Sequence, residues 1–554
     1  MILQLVKSKI PRSFLSFGMV GVGGLFVDLA VLYLGLWLLS FSWIWAKLIS
    51  FLAAATFTWW MNRKFTFGKS NKPLILEWAS FLATNAFGGL VNLSVYSAVV
   101  TQFYPYVWLP AIATCLGSIG GLVFNYLSSR HLVFNQTSKL EKIAKDSIIM
   151  ETPPFPKSLY WVTACVCIIF GWVTVYFGFD ANWGLKNHHW FNGWAFVNDL
   201  IGRDWSIKYT TSFDNPVIDV PYAWLVERIP LRAVGFLLGM LHGLNFLPLS
   251  AIAWHLSTLS NLQHRMYASA IVAMVGICGA GGLSEIGLVF YDNILSLGVF
   301  SAILLCLAHW DKISQNDGFK DYLLIVLFGV PAGLIVGLKQ SFIIFCLGLT
   351  IAFLFTDLAV LRRIRASIFF SAGILLGFSV SGGYWALHLW SFLGNPFFPY
   401  FNHIFKAPLA LPISYFDPSI NSLSLLHKLF LGFQLCWDVD VCANTNFRDF
   451  RILSLLILIG LAVMLRLWRK QAHPFTHFSP TTWLLAASFI TIAIWAILFS
   501  NYKYLVPLEM LAPILSVASI GLMPFGKRVR LGSAVSLLLF LSISTITRDW
   551  IRMP

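Results

Sequence analysis

A chain of 554 residues that is 58% hydrophobic and only 11% charged, with a mean hydropathy of +0.76, excludes an ordinary water-soluble domain and describes a polytopic helical membrane protein. Lys and Arg outnumber Asp and Glu by 38 to 23. The basic residues fall in short segments between apolar runs and form no stripe interleaved with stacking aromatics, which argues for loop marking and against a nucleic-acid partner.

Lys7, Lys9 and Arg12 precede the first apolar run, and no small-residue cleavage site follows at signal-peptide distance, so that run is expected to be retained. Apolar runs then predict an all-α fold with about fifteen transmembrane helices: 14–38, 45–61, 78–100, 108–128, 159–178, 231–256, 267–290, 293–309, 321–338, 341–358, 366–388, 452–466, 482–500, 504–524 and 531–546. Alternation from a cytoplasmic N-terminus places Arg63/Lys64, Arg130/Lys139, His264/Arg265, Lys312/Lys320, Arg362/Arg363/Arg365, Arg466/Arg469 and Lys527/Arg528/Arg530 inside, as the positive-inside rule asks. The run 420–435 is short and contains His427 and Lys428, and it reads as an interfacial helix. The outer face then receives 179–230, Ser284–Asp292, Lys339-Gln340, 389–451 and Asn501–Lys503.

A charged, proline-containing run from Lys139 to Lys157 divides the chain into a four-helix module (1–138), a cytoplasmic linker (139–158) and a larger module (159–554). The first module repeats internally. Ser16 to Asp28 aligns with Ser80 to Asn92, and Arg63 to Phe67 with Arg130 to Phe134. Asp28 and Asn92 fall in mid-span and each needs an internal partner, while Gly21, Gly23, Gly24, Gly88 and Gly89 let helices approach closely. Arg63 and Arg130 serve either as topological anchors or as functional groups. The pattern Gly18 to Asp28, Asn62-Arg63-Lys64-Phe65-Thr66-Phe67 and Asn125 to Phe134 resembles the GtrA-like family, over about residues 10 to 135. That resemblance implies movement of a polyprenyl-phosphate sugar across the membrane or assistance to a partner transferase. The second Asn-Arg motif is altered to Ser129-Arg130, a departure from equivalence of the halves.

In the larger module the polar block Asp180 to Asn192 follows directly on an apolar run, and ionisable clusters at such positions are default functional sites. An acidic residue there, with Lys186 to Asn192, Gly282 to Gly287, Gly337-Leu338-Lys339, Gly394 to Tyr400 and Tyr502-Lys503-Tyr504, resembles the integral-membrane glycosyltransferases of the GT-C class. Sugar transfer needs a carboxylate that takes the acceptor's proton, and Asp180 is the expected general base. Glu285 is a second catalytic carboxylate or else a structural partner of Lys339. Lys339, Lys503 and Arg448 would offset charge on a lipid-phosphate leaving group. Lys186, His188, His189 and Asn192 complete the expected substrate-binding set.

Adjacent His188 and His189 lack helical ligand spacing and an accompanying cysteine, which argues against zinc. No cofactor is certain; a magnesium or manganese ion held by Asp180 with Asp214 or Asp219 stays open. Six cysteines lie in apolar runs, whereas Cys436 and Cys442 in a polar segment are either disulfide-bonded or free. Trp183, Trp190, Trp194 and Trp205 would stack on sugars or form an interfacial belt. The segment Asn395 to Lys406 would act as a lid or simply pack at the interface. No GxxxxGK[ST] motif or Rossmann unit is present, which disfavours nucleotide sugars as donors.

The implied partners are a polyprenyl-phosphate-linked sugar, membrane lipid and a glycan or lipid acceptor. The implied location is a bacterial inner membrane, with the site on the periplasmic side. A flippase without transferase activity, or an inactive assembly partner, are the competing readings.

Overall fold

The computed structural model describes residues 12–38, 43–68, 74, 77–78, 81–82, 114, 153–201, 213–315, 318–408, 410–413, 448–468, 476–547 and 550–553. Asn92, Ser129-Arg130, Trp205, the run 420–435 and Cys436 with Cys442 lie outside the described residues. The chain forms two compact units. One holds 1–149, 460–473 and 523–533; the other holds 150–459, 474–522 and 534–554.

In the first unit, α1 (Arg12–Tyr33) and α2 (Trp43–Met61) pack against each other. A Cβ at Gly24 would run into the Thr58 side chain, so this glycine sets how closely the two helices approach. The expected partner of Asp28 is Lys47, whose ammonium lies 2.7 Å from Oδ2, while the Ser50 hydroxyl donates to Oδ1 at 2.6 Å. Both charged side chains are buried, and each offsets much of the other's desolvation cost. Arg63 pairs with the buried Glu77 at 2.8 Å, and the Trp59 indole donates to the same carboxylate, so this arginine has a specific partner.

The second unit is a bundle of apolar helices around a large core that includes the fully buried Trp483 and Trp495, with a separate smaller cluster formed by Phe213, Trp385, Leu389 and Phe398. The helices that position the site are α3 (Ser158–Phe177), α4 (Trp190–Val197), α5 (Val220–Val226), α6 (Leu262–Ile277), α7 (Ala280–Ser284), α8 (Asp292–Ala308), α9 (Phe319–Leu338), α10 (Val360–Ser381) and α11 (Val506–Leu522). The tightest pair is α9 with α10. Gly329, Gly333 and Gly337 on one helix and Gly373 and Gly377 on the other recur every four residues. A Cβ at any of them would strike backbone or side-chain atoms of the opposite helix, for example the Ile374 carbonyl from Gly333. Small residues at this spacing bring backbones into contact where lipid offers no hydrophobic drive for association.

The chain is a mostly helical polytopic membrane protein. Among the described residues, seven helices are long and apolar enough to span a membrane: Ser16–Leu36, Ser158–Phe177, Leu231–Leu256, Lys320–Leu338, Val360–Ser381, Phe478–Leu498 and Tyr502–Leu522. Shorter apolar helices include Asp292–Ala308, Gln340–Phe355 and Arg451–Leu465, and the expected total of about fifteen spans is not reached on this criterion.

Two expectations need correction. The run 267–290 is not one helix, because α6 stops at Ile277 and the short α7 begins after Gly279. The amides of Ala280, Gly281 and Gly282 donate instead to the carboxylates of Asp449 and Glu509, which satisfy the open N-terminus of α7. The fold is also not purely α. Phe179–Asp180 (β1) pairs antiparallel with Arg552–Met553 (β2), with Asp180 opposite Arg552.

Candidate active site

Seven segments converge at one end of the second unit: β1 after α3, the block leading into α4, the start of α5, the turn between α7 and α8, Lys339 after α9, Asn501–Leu505 before α11, and β2. Asp180 sits where α3 gives way to Gly178 and β1, and it is 8% exposed. Its Oδ1 accepts from the Asn182 amide at 2.9 Å and from the Asn182 side chain at 2.5 Å; its Oδ2 accepts from the Val289 amide at 2.9 Å. Burial pushes its pKa up, opposed by these hydrogen bonds and by the Arg552 charge.

The Val289 contact depends on Gly287. This residue has φ +72° and a Cβ there would overlap the Thr174 methyl of α3, so glycine is required by backbone conformation and by space together.

Of the block after Asp180, Lys186 is exposed, whereas His188 and Asn192 are buried. The rings of His188 and His189 lie 4.1 Å apart. His189 Nδ1 is 2.9 Å from Asp219 Oδ1. Asp219 stands at the start of α5, and a Cβ at Gly193 would lie 2.6 Å from its carbonyl oxygen, so this glycine lets α4 rest on that turn. Burial pushes the Asp219 pKa well up, against the opposing influence of Tyr291 and Lys339. Tyr291 packs edge-on to His189 and has φ +63°, an uncommon left-handed conformation for a bulky residue immediately before α8.

Lys339 donates to Asp292 Oδ2 and to the Phe290 carbonyl, each at 2.7 Å. The ion-pair partner of Lys339 is therefore Asp292, not Glu285. Glu285 lies in the turn after α7, 4% exposed, with Oε2 free of any hydrogen bond. Burial drives its pKa well up, as does the neighbouring Asp292 charge, while Lys339 and Lys503 pull it down. Lys503 extends over the rings of Phe290 at 5.4 Å and Tyr504 at 5.2 Å. Arg448 is held through its backbone, in a bridge with Ile546.

The position of Lys339 is secured from beneath. Asn215 donates to the carbonyls of Gly337 at 2.7 Å and Ser381 at 3.1 Å, tying together the ends of α9 and α10. A deeper layer holds α7, where the Tyr502 hydroxyl donates to Glu509 at 2.5 Å and Arg451 pairs with Asp449.

Asp180, Glu285, Lys339 and Lys503 thus gather around the 284–292 turn. Sequence reasoning missed Asp292, Tyr291 and Arg552 as members. Among the described residues no three His, Cys, Asp or Glu side chains are grouped as ligands; Asp219 faces His189, and Asp214 is exposed.

In comparison with known proteins, residues 16–142 match the family model of the GtrA/DPMS transmembrane domain. No curated protein and no solved structure matches the chain. The chain is therefore a helical membrane protein whose first portion is similar to the GtrA/DPMS transmembrane domain and whose remainder is helical with apolar spans.

Proposed function

We propose that the chain is a membrane glycosyltransferase of the GT-C kind, moving a sugar from a polyprenyl-phosphate carrier to a glycan or lipid acceptor at the end of the bundle where Asp180 lies. The observation that carries this reading is the convergence of buried carboxylates and two lysines on the turn 284–292, at the end of several apolar helices. The GtrA/DPMS match supports a lipid-linked sugar as donor.

In the proposed reaction the acceptor hydroxyl oxygen attacks the anomeric carbon, the bond from that carbon to the phosphate oxygen breaks, and the lipid phosphate leaves with the electron pair. Asp180 takes the hydroxyl proton. A carboxylate has about four acceptor sites, and three of those on Asp180 are used by Asn182 and Val289, which fixes its direction and leaves one. Glu285 supplies the second carboxyl. Lys339 and Lys503 offset the charge developing on the phosphate, the term that contributes most when it is preorganised in a site shielded from water. The first unit delivers or flips the carrier, and the bacterial inner membrane with a periplasmic site is part of the same proposal.

A flippase is the second reading, favoured by the GtrA/DPMS match and by the buried Asp28–Lys47 pair within α1 and α2. Release of labelled sugar from a polyprenyl-phosphate donor in proteoliposomes, with crude acceptor, separates the two. The transferase reading expects transfer by the intact chain and its loss in Asp180→Asn. Crossing of intact lipid-linked sugar without transfer would favour the flippase.

A further inference from the structure

The segment 550–553 is engaged with the candidate site through backbone pairing, a ring contact and a guanidinium. Arg552 pairs with Asp180 in the β1–β2 ladder, and Trp550 packs against Phe290 with ring centroids 4.8 Å apart. The Arg552 guanidinium donates to three carbonyls: Gly178 at 3.3 Å, Ser284 at 3.0 Å and Ile286 at 2.7 Å. Gly178 precedes Asp180 by two residues, and Ser284 and Ile286 flank Glu285. The planar guanidinium offers several donors in a fixed fork, so it can serve acceptors on separate segments at once.

We propose that Arg552 is a positioning residue for Asp180, fastening the segment that carries Asp180 to the turn that carries Glu285 and placing a fixed positive charge beside the Asp180 carboxylate. This inference rests on the transferase reading for its consequence in turnover. Its structural content does not.

The hydrogen bond from Val289 to Asp180 spans the same two segments, so Arg552 and Asp180 both tie them together. Among the described residues, the titratable groups whose electrostatics involve Asp180 include Arg552, Tyr222 at α5 and Tyr291 before α8. Arg552 is the cation among them and favours the ionised form of Asp180, the form a general base requires.

The test uses the full chain in lipid nanodiscs and follows the protonated-carboxyl band of Asp180 by infrared difference spectroscopy across pH, assigned by its loss in Asp180→Asn. This readout does not require turnover. Arg552→Gln is expected to move the Asp180 midpoint up by about one pH unit, in line with removal of a neighbouring opposite charge. Arg552→Lys is expected to leave the midpoint within about a third of that shift while lowering sugar transfer about tenfold, because one ammonium cannot hold three carbonyls in the same geometry. The Lys variant also guards against a Gln variant that fails to fold. An unmoved midpoint in Arg552→Gln, or full transfer in Arg552→Lys, overturns the proposal. Absence of transfer in the unaltered chain refutes the transferase reading while the infrared shift still decides whether Arg552 acts on Asp180.

Discussion

Replacing Lys339 by Met tests whether the ion pair at the tip of α9 is a structural necessity for the turn before α8. The ammonium makes two hydrogen bonds of 2.7 Å, to Asp292 Oδ2 and to the Phe290 carbonyl. The Asp292 side chain is fully buried and its Oδ1 has no hydrogen-bond partner, so Lys339 is the group that compensates its charge. Removing one member of a buried pair typically costs about 3–5 kcal/mol. The Lys339 side chain is 22% exposed, so water can partly fill its place, and the lower end, about 3 kcal/mol, is expected. Asp292→Asn should cost only about 1 kcal/mol, since Lys339 keeps the Phe290 carbonyl and its access to water. The double variant should then fall short of additivity by about 2 kcal/mol. Detergent-induced unfolding in mixed micelles, read by tryptophan fluorescence for all four proteins, supplies the cycle. A coupling below about 0.5 kcal/mol, or a Met variant no weaker than Asp292→Asn, would refute the reasoning.

Gly287→Ala forces a side chain into φ +72° and against Thr174, and should cost about 2–4 kcal/mol; pairing it with Thr174→Ser should recover part of that loss, and no recovery in the melting midpoint would count against the packing explanation. Asn215→Ala leaves the Gly337 and Ser381 carbonyls without their shared donor at a cost of about 1–3 kcal/mol, and hydrogen exchange should accelerate at both helix ends but not in the middle of α9. The raised pKa of Asp219 means that the folded protein holds this proton more tightly than the unfolded chain does. Its contribution to stability is therefore present below the ordinary carboxylate range and is lost as pH rises through the raised value. Asp219→Asn should flatten that decline in a pH series of melting midpoints; an unchanged slope would show that the decline has another source.

The spans were legible where about twenty apolar residues run without interruption. The expected 159–178 is observed as Ser158–Phe177, and 321–338 as Phe319–Leu338. The need of Asp28 for an internal partner was also legible, since a carboxylate in mid-span has few other options. That the partner is Lys47 was not, because it comes from the neighbouring helix. The break at Gly279 was hidden for a similar reason. The sequence from Ile277 to Leu283 is small and apolar, and the carboxylates that terminate the helix pattern lie 169 and about 228 residues away in the chain. Asp180, Glu285, Lys339 and Lys503 were legible as charges near the ends of apolar runs, whereas the partnership of Lys339 with Asp292 depends on a turn whose shape is set by Gly287 and Tyr291.

The glycine contacts between α9 and α10 bear on how any substrate could enter. Two helices whose backbones touch along three turns have no intervening layer of side chains that could change rotamer and let one slide on the other. They act as a single strut, and Asn215 fastens its tip. Lys339, mounted on that tip, is therefore a fixed post, and in the proposed transferase any adjustment to substrate falls to the segments facing it.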